Sequence, residues 1–93
     1  MNQSILSSPL HSTDSVFLRR RQLEVKTGYS RSTIYLRIQQ GLLTKPVSLG
    51  AKAVGWPSCE VTILNNARIA GMADDGIRRL VQQLHNARPA LMG

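Results

Sequence analysis

Residues 19–41 read RRRQLEVKTGYSRSTIYLRIQQG, and this stretch decides the fold. Its first part, residues 19–27, is rich in good helix formers, and Gly28 can end that helix in the left-handed conformation. Ser30 is a favourable cap for a second helix over residues 30–40, because its hydroxyl can accept a hydrogen bond from a free backbone N–H of the first turn. Two short helices joined by a glycine-containing turn predict a helix-turn-helix.

A small β-hairpin is predicted directly after the second helix. Two strand-like segments, residues 46–49 and 53–56, flank a turn at Gly50-Ala51-Lys52. Trp56, at the end of the second strand, is expected in the core because a large aromatic side chain buries much apolar surface. The expected fold class is therefore mainly α with a small β-hairpin, a winged helix-turn-helix in which the hairpin is the wing.

Two further helices are predicted after the hairpin. Ser58 is expected to cap a third helix from about Cys59 to Ala70, and Asp74 or Asp75 is expected to cap a fourth. The fourth helix carries the clearest amphipathic stripe of the chain, with apolar residues at i, i+3, i+4 and i+7. These residues are Ile77, Leu80, Val81 and Leu84. The stripe predicts either a cover for the domain's own core or an interface with a second copy or a partner protein.

The 93 residues are enough for one domain. Serine-rich residues 1–15 predict a flexible tail, residues 16–71 the winged helix-turn-helix domain, and residues 72–93 an additional C-terminal amphipathic helix and tail. No apolar run approaches the ~20 residues that a membrane helix needs, so no membrane association is expected. With a single cysteine, no disulfide can form within the chain, and a cytoplasmic location is expected.

The net charge of +7 is concentrated in one part of the chain. Residues 15–57 contain eight basic residues and one acidic residue, whereas basic and acidic residues balance in the remainder. Such a concentration of positive charge predicts a surface for a polyanion. Aromatic residues make up only 4% of the chain, which argues against a single-strand surface built from several stacked rings. Double-stranded DNA is therefore the expected partner, with the chain associated with the nucleoid.

The candidate DNA-binding residues follow from the helix-turn-helix, because the first turn of its second helix reaches base edges in the major groove. The expected residues are Ser30, Arg31, Ser32, Thr33, Tyr35, Arg37, Lys45, Lys52, Arg19, Arg20 and Arg21. Arg31 can bind guanine O6 and N7 in a two-pronged geometry or contact a phosphate. Ser30 is explained at least as well as a cap. The lysines and the other arginines are expected at phosphates, and the Tyr35 ring is expected to pack inward, with or without a phosphate contact from its hydroxyl.

No catalytic, metal or cofactor site is expected. Cys59 has no histidine partner within reach by sequence, and His11 and His85 show no metal-ligand spacing and are expected at the surface. The adjacent Asp74 and Asp75 point apart on a helix, and capping explains both. The chain is therefore expected to be no enzyme and to hold no cofactor.

Five motifs occur together in a characteristic order and spacing. They are Gly28-Tyr29-Ser30-Arg31-Ser32-Thr33-Ile34-Tyr35, then Gly41, then Lys45-Pro46-Val47-Ser48-Leu49-Gly50, then Ala53-Val54-Gly55-Trp56, and Glu60-Val61. Over about residues 17–70 the chain resembles the AlpA family of prophage regulatory proteins, with departures at Arg20, Leu43-Thr44 and Leu64. The resemblance implies a winged-helix DNA-binding fold similar to that of excisionases and MerR regulators. It does not extend to residues 72–93.

The residues and the resemblance together predict a sequence-specific regulator of transcription that binds double-stranded DNA of a prophage or integrated element. The recognition helix, residues 30–40, is expected in the major groove, with the wing, residues 45–56, beside it. An alternative is an excisionase-like factor that bends DNA for site-specific recombination. An alternative of another class is a protein-interaction module that uses the C-terminal helix.

Overall fold

The computed structural model describes residues 15–88. Within this range the chain forms four helices and a three-stranded antiparallel sheet. In chain order the elements are β1 (Phe17–Leu18), α1 (Arg20–Thr27), α2 (Arg31–Gln39), β2 (Val47–Gly50), β3 (Ala53–Pro57), α3 (Ser58–Ile69) and α4 (Asp74–Ala87). The architecture confirms the predicted fold class. Most of the predicted tail, together with His11, lies outside the described residues.

The helix-turn-helix forms as its end signals predict. Gly28 follows α1 with a φ of 77°, and Gly41 follows α2 with a φ of 78°, so both glycines adopt the left-handed conformation that ends a helix. Ser30 is the N-cap of α2, and its hydroxyl accepts a hydrogen bond from the Thr33 backbone N–H at 3.3 Å. These local interactions set the bounds of the two helices.

The hairpin is extended by a strand that the sequence did not predict. Strand β1 pairs with β3, with Leu18 opposite Trp56, so that the order across the sheet is β1-β3-β2. A strand of two residues is too short to show the alternation by which strands are recognised. The close approach of β1 and of the Leu49 side chain to β3 depends on Gly55, since a Cβ there would lie 2.9 Å from Leu49 Cδ1 and 3.3 Å from the Leu18 carbonyl oxygen.

The turn of the hairpin contains an unusual backbone conformation. Ala51 and Lys52 join β2 to β3, and Lys52 has a φ of 62°. It is the one non-glycine residue in the described range with positive φ. Left-handed conformation costs a residue with a Cβ roughly 1–2 kcal/mol. The turn therefore holds a lysine where glycine or asparagine would be less strained.

One hydrophobic core joins the helices to the sheet. Its buried residues are Leu23, Ile34, Leu42, Leu43, Trp56, Val61, Leu64, Ala67, Ile77, Val81 and Leu84. Trp56 is fully buried, as predicted, and its Nε1–H donates a hydrogen bond to the Thr44 carbonyl at 3.0 Å. The wing is thereby fixed to the loop that leads from α2 into β2.

The N-terminus of α3 is capped by a residue far away in the sequence, so the prediction for Ser58 was wrong. Ser58 is the first residue of α3, and its hydroxyl accepts a hydrogen bond from the Val16 backbone N–H at 2.9 Å. The Ser15 hydroxyl instead accepts one from the Cys59 N–H at 3.2 Å. A side chain that arrives with β1 therefore satisfies a free donor of the first turn.

The predicted caps of α4 were also wrong. Ala73 occupies the N-cap position, and no side chain makes a capping hydrogen bond there. Asp74 accepts a hydrogen bond from Arg68 at 3.0 Å, and Asp75 accepts one from Arg78 at 3.2 Å. Both carboxylates still lie in the first turn, where negative charge is favourable to the helix dipole.

The apolar stripe of α4 packs into the core of its own domain. Ile77, Val81 and Leu84 are buried, and Leu80 is partly buried against the same cluster. Of the two alternatives for the stripe, the structure therefore shows the cover for the chain's own core. Helix α4 and residues 16–71 share one core in this arrangement.

Three hydrogen bonds also tie α4 and the residue after it to the loop that follows α2. Arg78 Nε donates to the Gln40 carbonyl at 2.9 Å. The Lys45 N–H donates to His85 Nε2 at 3.0 Å, and Arg88 Nη2 donates to the Lys45 carbonyl at 2.7 Å. Helix α4 thus holds the C-terminal end of α2 in place.

A buried ion pair completes this attachment. The Glu60 side chain is 0% exposed and accepts hydrogen bonds from Arg88 Nε at 2.7 Å and Nη2 at 2.6 Å. Two parallel charge-assisted hydrogen bonds are the strong geometry for an arginine and a carboxylate. Because burial of a charged carboxylate is costly, Arg88 offsets part of the cost of placing Glu60 in the interior.

Candidate nucleic-acid interface

Three elements surround a cavity of about 330 Å³ on one side of the molecule, which we call the basic cavity. Its lining residues are Arg19, Arg20, Arg21, Tyr35, Lys52 and Val54. The arginine run comes from the start of α1, the tyrosine from α2, and the last two residues from the hairpin. The structure therefore brings together five residues that the sequence predicted for DNA binding but could not place side by side.

The charge of the basic cavity is only partly neutralised. Arg20 forms an ion pair with Glu24, one helical turn further along α1. Arg19, Arg21 and Lys52 form no ion pair with any acidic residue in the described part of the chain. Three cations from two separate elements thus remain available to an anion that enters the cavity.

One side of α2 is exposed beside the basic cavity, and we call it the exposed face of α2. Its residues are Arg31, Ser32, Tyr35, Leu36 and Gln39. Ile34 is fully buried on the opposite side, with Ile38 packed one turn later. The spacing of 3.6 residues per turn therefore separates a core side from a side that a partner can reach.

The prediction that Tyr35 packs inward was wrong, because its side chain is 45% exposed. Ile34 and Ile38 already fill the core side of α2, and Tyr35 lies about 100° further round the helix. Leu36 and Gln39 were missed by the sequence reasoning. Their spacing from Ser32, four and seven residues, was the signal that could have found them.

The first turn of α2 divides its polar residues into two groups. The Ser30 hydroxyl accepts from the Thr33 N–H and donates to Thr33 Oγ1 at 2.9 Å. Ser30 and Thr33 therefore order the turn itself. Arg31 and Ser32 are both exposed, with the Ser32 hydroxyl 3.3 Å from that of Ser30.

Two predicted DNA-binding residues lie away from the basic cavity. The Arg37 guanidinium stacks over the Tyr29 ring, 5.5 Å from its centroid, and the side chain is half-buried. Lys45 lies at a second cavity of about 300 Å³ between the end of α2 and α4. This second cavity is lined by Ile38, Gly41, Leu43, Lys45, Arg78, Val81, Gln82 and His85.

Comparison with known proteins assigns this helix-turn-helix to a family. The sequence model of the family described as Prophage CP4-57 regulatory protein (AlpA) matches residues 16–64. The chain belongs to the AlpA family. The AlpA match contains every residue proposed above for DNA binding and ends within α3. Helix α4 lies beyond it.

A similar sequence comes from a phage. The chain is 46% identical over 59 residues to the uncharacterized protein ORF88 of Enterobacteria phage P4, a match that covers 63% of this chain and 67% of that protein. No solved structure matches the chain. The buried ion pair joins Glu60, inside the AlpA match, to Arg88, outside it.

His85 is a further contact between α4 and the AlpA segment, by which we mean the matched residues 16–64. It was expected at the surface, but it is half-buried and accepts the Lys45 N–H. Burial, followed by the positive charge of Arg88, lowers the pKa of His85 below 6.5, with a smaller effect of Lys45 in the same direction and an opposing effect of Glu60. The neutral imidazole is therefore the form that the folded chain favours.

The stability of the fold should decrease when His85 is protonated. The unfolded chain binds this proton more readily than the folded chain does. The contribution of neutral His85 to the free energy of unfolding is therefore complete above pH 6.5, and it is lost as the pH falls through the lowered pKa of His85 in the folded chain. We expect the melting temperature to fall between about pH 7.5 and 5.5, and to fall less in His85→Gln, which has no titrating group there. Identical pH profiles for the two proteins would exclude this role.

Residues 15–88 contain neither a metal site nor a membrane span. No group of three or more His, Cys, Asp or Glu side chains in this range could hold a metal ion. The helices within this range lack the length and the apolar run that a membrane span requires.

Proposed function

We propose that this AlpA-family chain is a sequence-specific regulator that binds double-stranded DNA of a prophage or integrated element. The observation that carries the proposal is the basic cavity, in which the arginine run of α1 and Lys52 of the wing lie together beside Tyr35 of the exposed face of α2. It acts by occupying DNA, and we propose no enzymatic activity and no cofactor. Binding to DNA would place the protein at the nucleoid.

The arrangement supports a division of roles between base and phosphate contacts. The major groove of B-DNA is about 12 Å wide and admits an α-helix, and residues of the first turn reach the base edges. Arg31 and Ser32 are exposed in that turn of α2 and are proposed as base readers. Ser30 and Thr33 support them by ordering the turn.

The cations of the basic cavity suit a phosphate backbone that borders a groove. We propose that Arg19 and Arg21 contact phosphates there, with Arg20 less available because of its pair with Glu24. Lys52 of the wing is proposed to contact the same backbone. The Tyr35 hydroxyl is proposed for a further phosphate contact at this cavity.

The two outlying residues take lesser parts. Arg37 is proposed to support α2 through its contact with Tyr29. The exposed side chain of Lys45 is proposed for a phosphate outside the groove that α2 occupies.

The salt dependence of binding tests this proposal. If about five phosphates are neutralised, the logarithm of the binding constant should fall against the logarithm of salt concentration with a slope of about −4 to −5. Lys52→Asn should weaken binding to every duplex alike and make the slope about 0.9 less steep. Asparagine accepts the positive φ of the turn, so the fold is retained.

The matched control is Lys52→Arg, which keeps the charge and should keep the slope. The affinities are measured by titration of fluorescent duplexes selected from a random pool by the full chain. Binding that does not respond to salt, or that selects no sequence from the pool, would refute the proposed function. An unchanged slope in Lys52→Asn would remove the wing from the interface.

A further inference from the structure

Two adjacent apolar side chains stand out on the exposed face of α2. Tyr35 is 45% exposed and Leu36 is 49% exposed, although both lie in a helix of nine residues that contributes Ile34 to the core. Leu36 lies one turn after Ser32 and nearly one turn before Gln39, so polar residues precede and follow it on the same face.

The core gives no reason for Leu36 to be there. The core side of α2 is filled by Ile34 and Ile38, and Leu36 is not among the residues that pack against the core. A single exposed leucine is ordinary on a protein surface. Leu36, however, is next to Tyr35, which lines the basic cavity. A partner that covers Leu36 must therefore present an apolar group to Leu36 and negative charge to the neighbouring basic cavity.

The major groove of duplex DNA has that combination of properties. Phosphates border the groove, and the one apolar group that a base pair presents on its floor is the 5-methyl group of thymine. Apolar protein side chains read thymine by contact with this methyl group. Cytosine, guanine and adenine present no such group, so an apolar contact at this point distinguishes one base from the other three.

We infer that Leu36 contacts the 5-methyl group of a thymine and is a specificity-determining residue of the exposed face of α2. The inference rests on the proposed function and adds to it a base that the first-turn residues do not read. Arg31 suits guanine, whereas Leu36, more than one turn further along the helix, suits thymine at a different position of the same site.

Deoxyuridine tests the contact, because it pairs with adenine as thymine does and lacks only the methyl group. A duplex selected from a random pool by the full chain is resynthesised with deoxyuridine in place of one thymine at a time. We expect one position at which the unmodified chain binds about three- to fivefold more weakly, which corresponds to the loss of one buried methyl group. Leu36→Ala should bind the thymine duplex more weakly and show no further loss at that position.

The decisive readout is whether Leu36→Ala abolishes the loss of affinity that deoxyuridine causes in the unmodified chain. Ile69→Ala is the control, since Ile69 is an exposed aliphatic residue at the end of α3 outside the basic cavity, and it should retain the full deoxyuridine penalty. Leu36→Ala should keep its fold, because Leu36 is half-exposed and alanine is a good helix former.

The inference and the proposed function can fail separately. If the chain selects no sequence from the pool, the proposed function fails and the inference fails with it. If it selects a sequence that lacks thymine, or if Leu36→Ala keeps the same deoxyuridine penalty as the unmodified chain, the inference alone is overturned.

Discussion

A chain that ends at Gly71 is expected to show no cooperative unfolding transition. The shortened chain lacks Ile77, Val81 and Leu84, whose side chains are buried in the common core, and it also leaves the Glu60 carboxylate without Arg88. Truncation of one buried aliphatic side chain to alanine costs about 2–5 kcal/mol. The loss of three amounts to about 6–15 kcal/mol, which is as large as the whole stability of a typical domain, about 5–15 kcal/mol.

The measurement is circular dichroism during thermal and urea unfolding. The matched control is a chain that ends at Arg88, which keeps every described contact of α4 and should unfold as the full chain does. A cooperative transition in the chain that ends at Gly71 would show that the AlpA segment has a complete core of its own. Helix α4 would then be an attachment to a domain that folds without it.

Arg88→Met is expected to lower the free energy of unfolding by about 3–5 kcal/mol, because it removes one member of a buried ion pair and both hydrogen bonds that Arg88 donates to the Glu60 carboxylate. Methionine is similar in length to the apolar part of arginine, so the loss reports the missing charge and hydrogen bonds more than lost packing. Urea unfolding at neutral pH gives the value. The control is Arg79→Met, an exposed position on the same helix, which should change stability by about 0.5 kcal/mol or less.

A second substitution separates the loss of the Arg88–Glu60 interaction from other causes. In the double variant Glu60→Met/Arg88→Met both charges are absent, and most of the lost stability should return, because apolar residues of similar volume can replace a buried ion pair at little cost. If the double variant is as unstable as Arg88→Met, the hydrogen bond from Arg88 to the Lys45 carbonyl carries the effect instead.

The parts of the fold that rest on neighbouring residues could be predicted from the sequence. Ser30, Gly28 and Gly41 act within one helical turn, so their residue types alone indicate where α1 ends and where α2 begins and ends. Trp56 was placed in the core correctly because few other environments suit so large a side chain.

The parts that rest on distant contacts could not be predicted. Ser15 caps a helix that begins 43 residues later, and Arg88 pairs with a carboxylate 28 residues earlier. A pattern of neighbouring residues does not indicate which distant residue will be the partner. The stripe of α4 shows the same difficulty, since its period reveals that one side is apolar but not whether this chain or another covers it.

The sequence predicted which residues form the candidate site better than it predicted how they are arranged in space. Arg19 and Lys52 were singled out by charge, yet only the folded chain places them around Tyr35. Leu36 was missed because every residue singled out for DNA binding carries a charge or a hydroxyl group. Its exposure depends on which side of α2 the other elements cover, and one sequence does not specify that.

The strained lysine in the wing limits the stability of the turn. At a φ of 62°, glycine or asparagine would give a more stable turn than Lys52, so the fold alone does not favour lysine at this position. Stability given up in this way is characteristic of positions where function and robustness conflict. If Lys52 contacts DNA as proposed, laboratory evolution for heat resistance alone should replace lysine at residue 52, whereas evolution under a requirement for DNA binding should retain it.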